Sequence, residues 1–349
     1  MRFALSDEQI EFRDAVHGLL ADTCGPDDIR AAWADAELAG GGPGGGDGTV
    51  PAAWDALAEM GVLGICVPEA NDGLGMTDED LVPLLIEVGR SGLPDPVSST
   101  AGVAVGILRD HAPSGLAGEW LARIASGELR VGIGFGTAPY VSAARRCGAF
   151  LLCDRGEVHL VAPSDVTFRD LESVDGARHL AEVSWTPSAS TLIVDGDAGF
   201  AATNAAFDRA ALGTAAMLLG LSRTMLQMTV LYATERHQFG VPIGSFQAVK
   251  HQLADASLAV EFVEPLVLRA ANSLAGGDPD ASVHVSMAKA KASTAGAAAA
   301  AASLQVHGAI GYTVECDLHL YMKRAWALAA RYGDAEFHRR RVRTGLLAV

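Results

Sequence analysis

Arg236-His-Gln-Phe-Gly-Val-Pro-Ile-Gly-Ser-Phe-Gln-Ala-Val-Lys-His-Gln-Leu-Ala-Asp255 joins two long apolar stripes. Upstream, Phe207, Ala211, Thr214, Leu218, Leu221, Met225, Met228 and Tyr232 recur in steps of four and three. That spacing is one face of a helix about 45 Å long at 1.5 Å per residue. Within the quoted stretch, Gly240, Pro242 and Gly244 predict a turn, and a second helix starts near Ser245. Its stripe runs through Leu253, Ala256, Val260, Val263, Val267, Ala270 and Leu274. Pro265 lies inside that stripe and predicts a kink. A third stripe is small: Ala281, Val285, Ala288, Ala292, Ala295, Ala299, Ala302 and Val306. Small side chains let helix axes approach closely, so the alanine tract at 297–302 reads as helix interior. A fourth helix is expected over 314–331, and four such helices make a bundle.

Working back from the bundle, the pattern changes. Between 128 and 197, short apolar runs at 131–135, 150–153, 158–161, 180–185 and 191–194 are bounded by Gly, Pro, Asp and Ser. They predict a small β domain of about five strands, with Cys153 in its core. The first third is helical again. Ser6 and Gln9 form a capping box ahead of Ile10, Phe12, Val16, Leu19 and Leu20. Helices are expected at 51–60 and 77–89, the latter capped by Thr77 with Asp80 three residues on, and two more lie within 98–126. The glycine-rich segment 40–48 has no preceding strand and no following lysine, so it reads as a mobile surface loop rather than a phosphate loop. The reading is an α+β chain in three domains: 1–127 helical, 128–197 β, 198–349 a helical bundle.

Composition narrows the function. The 349 residues carry 42 acidic and 26 basic side chains, a net charge of −16. Such a balance argues against a nucleic-acid backbone as partner, although local arginines can still hold an anion. Five scattered cysteines without a C-x-x-C pair predict neither a zinc site nor a disulfide framework, and they fit a reducing cytoplasm. No metal site is expected. The first nine residues lack a signal-peptide core, and the most apolar stretch, 210–221, is too short to cross a bilayer.

Within the quoted stretch, Arg236 offers a planar fork for phosphate oxygens beside a helix start with free amides. The segment resembles the flavin-contacting signature of the acyl-CoA dehydrogenase family, R-x-Q-F-G-x-P-I-x-x-F-Q. Gln305-Val-His-Gly-Ala-Ile-Gly-Tyr312 resembles that family's second signature, and Val67-Pro-Glu-Ala-Asn-Asp-Gly-Leu-Gly75 its V-P-E turn. The resemblance spans the chain and implies the family's α–β–α fold and FAD as cofactor. It also implies an oligomer and α,β-dehydrogenation of an acyl-CoA thioester. Carried over by position, Arg236 is expected on the FAD pyrophosphate across a subunit interface, with Gln238, Phe239 and Gln247 on the same cofactor. Gln305 and Gly308 are expected near the adenosine half. His307 reads as a spacer, and His251 and His319 as packing or surface residues. The run His338 to Arg341 either touches cofactor phosphate or is a solvated helix end, the plainer reading.

The family's reaction needs a desolvated glutamate that takes the α-proton while the β-hydrogen leaves as hydride. One family position for it, 26 residues before the arginine, is Ala210 here, and Asp208 points elsewhere on the helix. The other falls on Gly333 when matched through the tyrosine, and on Asp334 when matched without gaps from Gly311. Asp334 is thus a weak candidate base. The family's ring-holding motifs are reduced to Thr137-Ala-Pro139, and Trp185-Thr186 has no matching context. The β domain, about 70 residues, reads as shortened. This pattern is similar to the short subunits of heteromeric acyl-CoA dehydrogenases of actinobacterial steroid side-chain degradation. Three expectations follow in order: a subunit whose partner supplies the glutamate, a self-sufficient enzyme using Asp334, or a non-catalytic binding or assembly protein.

Overall fold

The computed structural model describes residues 4–39 and 45–347. The chain begins with helices α1 (Asp7–Thr23), α2 (Pro26–Ala32), α3 (Ala36–Ala39), α4 (Pro51–Glu59) and α5 (Asp78–Ser91). Gln9 N–H donates to Ser6 Oγ at 3.2 Å, and Ser6 N–H to Gln9 Oε1 at 2.9 Å, closing the expected capping box. Thr77 and Asp80 cap α5 in the same way. A π-helical segment, Ser98–Ala104, runs into α6 (Val105–His111), followed by α7 (Ser114–Ala125). Part of the expected glycine loop, residues 40–44, lies outside the described residues. Gly45, Gly46 and Gly48 donate backbone hydrogen bonds to Ala34, Trp33 and Ala32, so that end is pinned rather than mobile.

Seven strands follow: β1 (Val131–Phe135), β2 (Tyr140–Val141), β3 (Ala149–Asp154), β4 (Glu157–Val161), β5 (Val166–Asp170), β6 (Ala181–Trp185) and β7 (Leu192–Val194). They form one sheet in the order β1-β3-β4-β7 and a second in the order β2-β6-β5. β1 pairs parallel with β3, and the remaining pairs are antiparallel. The first sheet is covered on both faces: Phe150 and Leu152 join Val166 and Val183 under the second sheet, whereas Leu151 and Cys153 face the helical core. This explains why β3 is a continuous apolar run. Two strands, β2 and β5, exceed the expectation.

The bundle opens with α8 (Gly196–Glu235), 40 residues and about 60 Å long. It crosses α5 at glycines: a Cβ on Gly220 would stand 2.0 Å from the Ile86 carbonyl oxygen. A hairpin of β8 (His237–Gln238) and β9 (Val241–Pro242) leads to α9 (Gln247–Glu261) and α10 (Glu264–Ala275). The expected kink at Pro265 is a break between these two helices. Proline sits in the first turn of α10, where its missing N–H costs no hydrogen bond. α11 (Ala281–His307) packs its alanine face on α8, and α12 (Leu318–Ala330) closes the four-layer set. Beyond it, α13 (Ala335–Leu347) packs on α11. The basic run is therefore only half a solvated end: Arg339 and Arg340 are exposed, but the residues flanking them are not. His338 is buried, and the Arg341 guanidinium donates to Asp208 at 2.9 Å. No helix among the described residues is long and apolar enough to cross a membrane.

Candidate functional site

At the end of α8, Arg236 N–H still donates to Tyr232 O at 2.8 Å, and Arg236 O accepts from Ile243 N–H at 2.8 Å. The hairpin between them turns at Phe239 (φ 53°) and Gly240 (φ 82°), both left-handed, which is the type I′ geometry of two-residue hairpins. A bulky residue there is strained, and such strain collects at functional sites. Phe239 is 93% exposed and meets Phe246 edge-on at 6.2 Å. The side chains of Arg236, Gln238 and Gln247 are exposed, and Arg236 makes no side-chain hydrogen bond or ion pair among the described residues. Gln247 opens α9, whose N-terminus has no side-chain cap. A free guanidinium, uncapped amides and an exposed ring thus share one edge, a donor set suited to phosphate oxygens and a flat ligand.

The second signature comes to the same end of the bundle. His307 stacks on Tyr232 with ring centroids 4.3 Å apart and planes at 17°, clipping the end of α11 to that of α8. Its Nδ1 lies 2.8 Å from Ser303 O, and burial holds the imidazole below its ordinary pKa, so it is a neutral packing group. Gln305 is exposed. Gly308 has φ 64° and ψ −140°, a conformation reserved for glycine, and the space where a Cβ would stand is open. His251 is exposed and His319 is buried edge-on to Trp33.

The candidate base positions lie elsewhere. Ala210 is buried and lines a cavity of about 20 Å³ together with Ser98, Ser142, Arg178, Arg331 and Tyr332. Asp208 turns away from it, accepting from Arg341 and from the Ser282 hydroxyl. Gly333 has φ 91°, and a Cβ there would stand 2.4 Å from the Phe337 ring. Its carbonyl accepts from the buried Lys289 ammonium at 2.9 Å. Asp334 is exposed and caps α13: its Oδ1 accepts from Phe337 N–H at 2.8 Å, and that amide holds the carboxyl below its ordinary range. It is not among the cavity-lining residues. Ala210 and Arg236 are separated by 26 residues of one helix, about 39 Å.

Several groups in this region carried no sign in sequence that they would meet. Phe135, Phe207 and Tyr332 form an edge-to-face cluster, with centroids 5.5 Å (Phe135–Phe207) and 5.8 Å (Phe135–Tyr332) apart, joining β1, α8 and the α12–α13 turn. Thr137 is exposed beside it, and Pro139 O accepts from Val183 N–H at 2.9 Å. Trp185 instead packs on His159. Lys289, Arg178 and Arg331 approach from residues distant in sequence, so no spacing marks them.

Comparison with known proteins agrees with these motifs. The family description "Acyl-CoA dehydrogenase, N-terminal domain" matches residues 6–128, and "Acyl-CoA dehydrogenase, C-terminal domain" matches residues 197–347. The acyl-CoA dehydrogenase FadE34 of Mycobacterium tuberculosis is 33% identical over 97% of this chain, which spans 48% of that longer relative. The acyl-CoA dehydrogenase IpdE2 of Mycolicibacterium smegmatis is 31% identical over 97% of this chain and 98% of its own length. Among solved structures, the ChsE4-ChsE5 complex from Mycobacterium tuberculosis superposes with a TM-score of 0.85 over 100% of both chains at 23% identity, a likeness of fold.

Proposed function

The chain belongs to the acyl-CoA dehydrogenase family, an oxidoreductase family, and on that premise we propose that it is a subunit of a FAD-dependent acyl-CoA dehydrogenase whose catalytic carboxylate comes from a second chain. Arg236, Gln238, Phe239 and Gln247 would hold the phosphates and flat rings of FAD, with Gln305 and Gly308 beside the adenosine half. The fit rests on an unpaired guanidinium, uncapped amides and an open glycine at one edge of the bundle. When bound, FAD supplies the acceptor for the hydride of α,β-dehydrogenation. One observation carries the reading: about 39 Å of helix separates Arg236 from Ala210, so one dinucleotide does not reach both within a chain. Arg236 serves a neighbour's site, and the region around Ala210 belongs to another.

At the two positions where the family carries its base, this chain places a methyl group, Ala210, and, in the α12–α13 turn, a glycine and a capped, exposed aspartate; the buried Asp95 that also lines the cavity is held by Arg130. None of the groups at the two family positions is a desolvated carboxylate able to accept an α-proton. A heteromer, in which one partner brings the base and the other the arginine, resolves both facts. Free thiols at all five cysteines accord with a reducing, cytoplasmic setting. The division at 1–127, 128–197 and 198–349 is supported by all seven strands of the two middle sheets lying between Val131 and Val194.

The test is co-expression with the product of a neighbouring acyl-CoA dehydrogenase gene. The pair is expected to purify yellow and to oxidise acyl-CoA, with Asp334→Asn leaving turnover unchanged. An active, yellow homo-oligomer of this chain alone would overturn the reading.

A further inference from the structure

The cavity beside Ala210 has an unbalanced charge. Arg178, from the turn before β6, and Arg331, at the end of α12, both point into it. Two carboxylates, Asp95 in the cavity wall and Asp175 just outside it, are already engaged. Asp175 accepts from Arg324 at 3.0 Å, and Asp95 accepts from Arg130 at 2.8 Å and from Val50 N–H at 2.7 Å. Arg178 and Arg331 have no ion-pair partner among the described residues. They share a neutral one: Arg178 Nε donates to Ser142 Oγ at 2.9 Å, and Arg331 Nη1 donates to the same oxygen at 3.1 Å. Arg331 Nη2 reaches the Tyr332 hydroxyl at 2.6 Å, while its Nε is buried without a hydrogen-bond partner. Burial and the facing Arg331 push the Arg178 guanidinium down to about 10. Two half-buried cations sharing one hydroxyl oxygen repel each other unless an anion joins them. Position 210, which borders them, brings only a methyl group.

We infer that this cavity is an anion site that takes a carboxylate, gripped between the Arg178 and Arg331 guanidiniums beside Ser142. A planar fork matches the two oxygens of a carboxylate. The space, about 20 Å³, is small, so only the head of a ligand enters it. Val103, Met217 and Leu328 supply apolar wall for the carbon that bears the group. The carboxylate has two sources, a free small acid or the end of an acyl chain. The inference concerns binding and holds whether or not the chain takes part in redox chemistry.

The experiment measures Tm of the full chain, alone and with any co-purified partner, against succinate and chloride at constant ionic strength. Succinyl-CoA and butyryl-CoA are compared in parallel. A saturable rise with succinate that chloride does not match identifies a free acid. A rise with succinyl-CoA beyond butyryl-CoA, without one for succinate, identifies a chain-borne carboxylate. Arg178→Gln and Arg331→Gln are expected to weaken either response at least about tenfold without lowering Tm in plain buffer, since each relieves a repulsion. Should both variants fail to fold, Ser142→Asp supplies the carboxylate internally; it is expected to raise Tm and abolish the response. Equal effects of succinate and chloride, together with equal effects of the two thioesters, overturn the inference. So does a full response in a folded arginine variant, or a Ser142→Asp protein that is destabilised and still responds.

Discussion

Arg236 has no side-chain partner among the described residues, so on the proposed reading its replacement would remove a ligand contact without disturbing the fold. A charge-assisted hydrogen bond to phosphate is worth about 1.5–3 kcal/mol. Arg236→Gln is therefore expected to weaken flavin retention roughly 10- to 150-fold, read by fluorescence titration, with Tm of the flavin-free protein unchanged. Arg236→Lys restores charge but not the fork, and recovers only part of the loss. At the opposite end of the bundle, His338 is buried. Its ring lies 2.9 Å from Tyr332 O and 3.2 Å from Ser286 Oγ. Desolvation is the main cause that pushes its pKa down to about 4 from an ordinary 6.5. The folded state then binds fewer protons than the unfolded chain between those values. Stability is full above pH 6.5 and falls as pH drops towards 4, by about 3 kcal/mol in all. Urea denaturation across that window should show the slope, and His338→Gln should flatten it.

Helices and strands differ in how plainly they announce themselves. The stripes of α8 and α11 are legible because each buries one face against a neighbour, and burial selects residues at helical spacing. The capping boxes of α1 and α5 are legible because a cap needs particular side chains within three residues. β5 escaped because Thr167, Arg169 and Asp170 stand exposed or half-exposed on an outer edge strand, leaving only Val166 and Phe168 as signal. α13 showed only as a basic helix end because most of its packing is polar, Arg341 with Asp208 and Arg339 with Thr294, with Phe337 on Phe207 as its aromatic contact. The crossing of α5 and α8 depends on backbone contact that periodicity cannot show. Gly220→Ala would drive a Cβ into the Ile86 carbonyl. It is expected to cost at least about 1–3 kcal/mol, measured as a lower urea midpoint at unchanged slope.

At the scale of the whole molecule, α8 is a spacer. It carries Arg236 at one end and Ala210 far along it, and on the proposed reading it would give two half-sites to two different neighbours. If the partner holds the flavin ring and this chain the pyrophosphate, the purified complex should contain one flavin per pair of chains. Absorbance against polypeptide concentration measures that ratio, and one flavin per chain would show that this subunit also builds a complete site.

The order of elements, the bundle stripes and the arginine signature follow from the sequence by itself, because each rests on residues a few positions apart that one local geometry forces together. The absence of a glutamate at position 210 is legible for the same reason. Tertiary structure decided the rest. It set Asp334 as an exposed helix cap, paired Asp208 with Arg341, and broke the second bundle helix at Pro265. It also brought Ser142, Arg178 and Arg331 around one small cavity. Those residues belong to a loop, a turn and a helix end far apart along the chain, and only packing of the β domain on the bundle sets two guanidiniums on one hydroxyl.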